Sequence, residues 1–63
     1  MKNKVKKLRE ELLMSKSELA RKAGISVITL NRVESGENCR MATKRKILQA
    51  LGIKLSEHEK VFK

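Results

Sequence analysis

Ser15-Lys16-Ser17-Glu18-Leu19-Ala20-Arg21-Lys22-Ala23-Gly24-Ile25-Ser26-Val27-Ile28-Thr29-Leu30-Asn31-Arg32-Val33-Glu34-Ser35-Gly36 is the stretch that decides the fold. It reads as two short helices joined by a tight glycine turn. Ser15 offers an N-cap with Glu18 three residues on, the capping-box spacing in which each side chain satisfies the other residue's free backbone N–H. The helix that follows runs from Lys16 to about Ala23 and buries Leu19, Ala20 and Ala23. Gly24 stands where a helix stop calls for a left-handed residue, which glycine adopts at little cost. Ser26 caps the next helix, about Val27 to Ser35, with Leu30 and Val33 on its inner face and Gly36 after its last turn.

Outward from this pair the spacing stays helical. Val5, Leu8 and Leu12 fall at i, i+3 and i+7, one stripe of a first helix from about Lys2 to Leu13. A fourth helix covers about Met41 to Leu51, burying Met41, Ile47, Leu48 and Leu51, and stops at Gly52. Ser56 with Glu59 repeats the capping-box spacing and opens a short last helix ending near Phe62. The prediction is an all-α fold of five helices, one domain over residues 1–63, with connections of about two to six residues.

Sixteen Lys and Arg against seven Asp and Glu give a net charge of +9. Such an excess implies an anionic partner: nucleic acid, an acidic protein or a membrane surface. Cys39 stands alone, so it makes no internal disulfide and suits a reducing cytoplasm. The sequence has no apolar run near the roughly 20 residues of a membrane span, and its basic start lacks the apolar segment of a signal peptide. A membrane-surface helix is disfavoured, because the basic first helix lacks Trp and its apolar stripe is narrow.

Catalytic and metal chemistry find little support. One His and one Cys cannot build a four-ligand zinc site. His58 lies in a polar segment, Glu10 and Glu11 point to different helix faces, and no glycine-rich phosphate loop is present. The expectation is a protein that is not an enzyme and needs no cofactor. Cys39 reads as an inert thiol; exposed beside Arg40, it would instead have a lowered pKa. Single-stranded nucleic acid is disfavoured, because Phe62 is the one aromatic available for base stacking.

Double-stranded DNA fits better. Positions 27 and 31, and 28 and 32, are i, i+4 pairs, so Val27, Ile28, Asn31 and Arg32 share one helix face opposite Leu30 and Val33. In a major groove, Val27 and Ile28 would pack on thymine methyls, Arg32 would bridge guanine O6 and N7, and Asn31 would pair with adenine or bind phosphate. The competing readings are an ordinary or protein-binding surface for Val27 and Ile28, and a solvated or phosphate-bound Arg32. Lys16 and Ser26 lie at helix N-termini, where free N–H groups favour phosphate. Asn38, Arg40 and Lys44, with Arg45 beside them, cluster just beyond and would clamp the flanking strand. Lys2, Lys4, Lys6 and Lys7 read as a solvated face, with direct contact to phosphate as the competing reading.

Leu8-Arg9-Glu10-Glu11-Leu12, Ser15 to Ala20, Ala23-Gly24-Ile25-Ser26, Thr29 to Gly36 and Ile47 to Ile53 together resemble the Cro/CI-type (Xre-type) helix-turn-helix family, over about Val5 to Phe62. The resemblance implies a five-helix lambda-repressor-like domain with its helix-turn-helix at helices two and three, about residues 16–35. Its implied function is a transcriptional regulator, most often a repressor, that binds a pseudo-palindromic operator as a homodimer with helix three in the major groove. Residue by residue, Lys16 falls where the family has a phosphate-contacting glutamine, and Val27, Ile28 and Arg32 fall on base-reading positions. Asn38 falls in the loop that approaches the DNA, and Arg9 and Glu34 fall on a largely buried ion pair between helices one and three.

Three positions depart from the family pattern: Leu13 replaces a helix-ending glycine, Cys39 a loop proline, and Lys44 a core leucine. The Lys44 stem would then pack while its ammonium reaches solvent or phosphate. The alternative function is an antitoxin-type module that binds a partner protein, with or without DNA. Its docking surface would be an apolar tail of Leu55, Val61 and Phe62.

Overall fold

The computed structural model describes residues 3–62. Four α-helices, α1 (Val5–Glu11), α2 (Lys16–Ala23), α3 (Val27–Glu34) and α4 (Met41–Leu51), precede a 3-10 helix, Leu55–Lys60. α2 packs on both α3 and α4, and α1 closes the other side against α3 and α4. Val5, Leu19, Leu30, Val33, Ile47 and Leu48 lie fully inside this arrangement. Burying a side chain of this kind contributes about 1.5–3 kcal/mol against the conformational entropy of ordering the chain.

Each α-helix ends in the same way. The left-handed residue after the helix donates three residues back and the residue that follows it donates five back: Leu13 to Glu10 O and Met14 to Arg9 O after α1, Gly24 to Arg21 O and Ile25 to Ala20 O after α2. Glu37 to Arg32 O with Gly36 to Val33 O closes α3, and Ile53 to Leu48 O with Gly52 to Gln49 O closes α4. This pattern places one residue in the left-handed region. Gly24 takes it at φ 70°, but after α1 the residue is Leu13, at φ 58°. An L-residue there costs about 1–2 kcal/mol.

Several expectations need correction. α1 is shorter than the stretch from Lys2 to Leu13: Lys2 lies outside the described residues, and the left-handed Leu13 ends the helix early. Leu12 is therefore half-exposed at the helix stop rather than part of the core stripe. Met41, expected in the core, is 81% exposed, because it is the first residue of α4 and precedes the turn that meets the core.

The last helix is a 3-10 helix that starts at Leu55 after Lys54, so Ser56 lies inside it and caps nothing. It ends at Lys60, and the chain then pairs with its own beginning: Lys4 N–H donates to Val61 O at 3.1 Å, and an isolated antiparallel bridge joins Asn3 to Phe62. Val61 and Phe62 are buried in the core. The apolar docking tail is thus reduced to Leu55, which remains 43% exposed.

Candidate nucleic-acid interface

The N-termini of α2 and α3 are built alike. Ser15 Oγ accepts from Glu18 N–H at 3.1 Å, one half of the capping box, and Ser26 Oγ accepts from Thr29 N–H at 3.0 Å. The Ser26 hydroxyl also donates to Thr29 Oγ1 at 2.9 Å. Either hydroxyl of this pair can supply the proton, so Ser26 shapes the helix start and is able to turn its own O–H outward when Thr29 donates to it. The first turn of α3 holds no acidic residue, and its N-terminal partial positive charge stands uncompensated.

Val27, Ile28, Asn31 and Arg32 are all exposed, while Leu30 and Val33 on the opposite side are buried. Ile28 is 67% exposed, an apolar side chain presented outward on a basic protein. Ser35 Oγ donates to Arg32 O at 2.8 Å and closes the far end of the helix.

That far end is fixed from α1. Arg9 Nε donates to Glu34 Oε2 at 2.7 Å and Nη2 to Glu34 Oε1 at 3.3 Å, a two-pronged pair with both side chains under a tenth exposed. The hydrogen bond to Glu34 is the chief reason the Arg9 pKa is raised above its ordinary value, so the guanidinium stays charged. Its third nitrogen donates to Met14 O at 2.9 Å, directly after the left-handed Leu13.

Lys16 is exposed as the first residue of α2. Asn38 and Arg40 are exposed in the connection between α3 and α4, and no side-chain cap covers the start of α4. Lys44 behaves differently: it is half-buried with Nζ 5.7 Å from the centre of the Phe62 ring, drawn back over the core by a cation–π contact. Cys39 is half-buried too, and burial pushes its thiol up, against a smaller downward pull from the Lys44 charge. This agrees with the inert reading of Cys39, and the lowered pKa that an exposed thiol beside Arg40 would have does not arise.

Two residues near the site escaped sequence reasoning. Glu37 is an exposed negative charge inside the basic α3–α4 connection, legible as a charge of the wrong sign beside Asn38 and Arg40. Asn3 donates from Nδ2 to Val33 O at 2.7 Å, a contact thirty residues apart that no local pattern announces.

A glycine-stopped helix pair, its second helix seated by buried residues and exposing one face in a chain of charge +9, defines a DNA-binding helix-turn-helix unit. The sequence profile of the helix-turn-helix family matches residues 5–58, and the chain belongs to that family, in its Cro/CI (Xre) type, a family of DNA-binding regulators. No individual curated protein and no solved structure matches it. Among the described residues no helix is long and apolar enough to cross a membrane, and no three His, Cys, Asp or Glu side chains gather as a metal site.

Proposed function

We propose that the chain is a sequence-specific transcriptional repressor that reads a pseudo-palindromic operator with α3 in the major groove. The exposed face of Val27, Ile28, Asn31 and Arg32 carries this reading. Arg32 contacts guanine, Val27 and Ile28 contact thymine methyls, and Asn31 contacts adenine or phosphate. Lys16, Asn38 and Arg40 hold the backbone, with the N–H groups at the start of α3 behind its Ser26 cap, and Lys44 joins them on leaving the Phe62 ring. The chain acts by binding rather than by catalysis, in the cytoplasm.

The size of the domain supports a homodimer on DNA. The described residues span 24 × 21 × 18 Å, less than the roughly 34 Å between half-sites one helical turn apart. One copy therefore covers one half-site. A groove over the buried Leu48, rimmed by Lys44, Arg45 and His58, offers the exposed apolar surface of Met41 and Leu55 to a second copy.

The same groove is the observation behind a second reading, an antitoxin-type module bound to a partner protein. Clean homodimers of the purified chain favour the first reading, and stoichiometric co-purification of an unrelated small protein favours the second.

Selection of bound sequences from a random duplex pool, followed by salt titration on the winner, tests the proposal. It predicts a palindromic winner with thymines in each half-site, and log K falling with log salt at a slope of about −0.9 per neutralised phosphate. Failure to enrich any sequence contradicts it.

A further inference from the structure

Asn3 touches three parts of the molecule at once. Its Oδ1 accepts at 3.0 Å from Val5 N–H, the first backbone N–H of α1, across the N-cap residue Lys4. Its Nδ2 donates to Val33 O at 2.7 Å, in the last turn of α3. Its backbone bridges to Phe62, beside the Lys4-to-Val61 hydrogen bond. Val33 O also accepts from Gly36 N–H at 3.0 Å, so the Asn3 amide is a second donor on this carbonyl and the one that comes from outside α3 and its turn.

The last turn of α3 thus has two external tethers, both from the N-terminal segment: Asn3 on Val33 O and Arg9 on Glu34. The core holds α3 through Leu30 and Val33, which fix depth more firmly than rotation or tilt, because apolar contacts are non-directional. Directional bonds at one end supply the missing restraint. Asn3 and the Val61–Phe62 pair lie outside residues 5–58, the stretch matched by the family profile.

We infer that Asn3 is a positioning residue for DNA reading: its amide sets the orientation of α3, and with it the aim of Ile28, Asn31 and Arg32, without touching DNA. The inference rests on the DNA-reading function proposed above. Side chains that read base edges need orientation held within a fraction of an ångström by supporting bonds. Losing the tether therefore lowers specific affinity while leaving the phosphate-driven, non-specific part unchanged.

The test compares wild type with Asn3→Ser and Asn3→Asp. Both keep an acceptor for Val5 N–H and lose the amide that reaches Val33 O: Asp carries no donor there, and Ser puts its hydroxyl on a side chain one bond shorter. A control, Leu51→Ala in α4, lowers stability by another route. Two quantities are measured well below every melting point. The first is amide exchange at Ser35, Gly36 and Glu37, whose N–H groups close the last turn of α3. The second is the ratio of affinities for the selected duplex and a scrambled one.

Both Asn3 variants exchange faster at these amides than the control does, and their ratio falls about 3- to 10-fold, the effect of one ordinary hydrogen bond. An unchanged ratio, a ratio equal to that of the control, or no local acceleration of exchange overturns the role of Asn3 alone. A wild-type chain that prefers no duplex overturns the DNA-reading function and this role with it.

Discussion

Arg9 Nε lies 2.7 Å from Glu34 Oε2, and the same guanidinium donates to Met14 O at 2.9 Å. One buried cation therefore joins the end of α1, the turn that follows it and the last residue of α3. Arg9→Ala leaves the Glu34 carboxylate buried and unpaired and frees the strained turn. It lowers stability by about 3–5 kcal/mol, as breaking one side of a buried pair does. Urea denaturation checks this; a loss below about 1 kcal/mol, typical of exposed pairs, contradicts it.

Leu13 occupies a left-handed turn at φ 58° with 91% of its surface exposed. Its side chain contributes no burial to offset the backbone strain. Leu13→Gly relieves about 1–2 kcal/mol of strain and gives back part of it through the greater freedom of glycine in the unfolded chain. The net expectation is a rise in melting temperature of a few degrees, read by circular dichroism. A fall shows that the turn is held for another reason.

These two sites mark where the sequence is readable. α2 and α4 match their expected bounds, because Ser15, Gly24 and Gly52 announce the ends through local backbone chemistry. The face of α3 is legible for the same reason, since i, i+4 spacing alone separates Arg32 from Leu30. What the sequence hides is long-range. Asn3 meets Val33, and Phe62 folds back to pair with Asn3, so the chain's two ends seal the core through contacts that have no periodicity. Met41 shares the helical spacing of α4 yet points outward, because spacing locates a stripe and not where along it the core begins.

Cys39 reports the packing behind the α3–α4 connection. Burial raises its thiol pKa above the unfolded value, so the folded state holds that proton more tightly. The corresponding stability is present below the unfolded thiol pKa and is lost as pH rises through the folded one. At mildly alkaline pH the folded chain therefore carries less thiolate, and iodoacetamide labels it more slowly than it labels the urea-unfolded chain. Equal rates contradict the burial of this side chain.

Glu37 is a negative charge set among the residues proposed to hold phosphate. Glu37→Gln removes its repulsion and raises affinity for selected and scrambled duplexes alike. Glu37→Lys adds one phosphate contact and steepens the salt slope by about one unit. Salt titrations of the two variants check this, and an unchanged affinity places Glu37 away from the DNA.

The central claim is that the exposed face of α3 reads DNA, and Arg32 tests it most directly. The measurement is the affinity of Arg32→Ala for the selected duplex and for duplexes varied at each position of the half-site. The account predicts a loss of about 1–3 kcal/mol on the selected duplex, with discrimination relaxed at a single guanine position. An affinity and sequence profile equal to those of the wild type would contradict it.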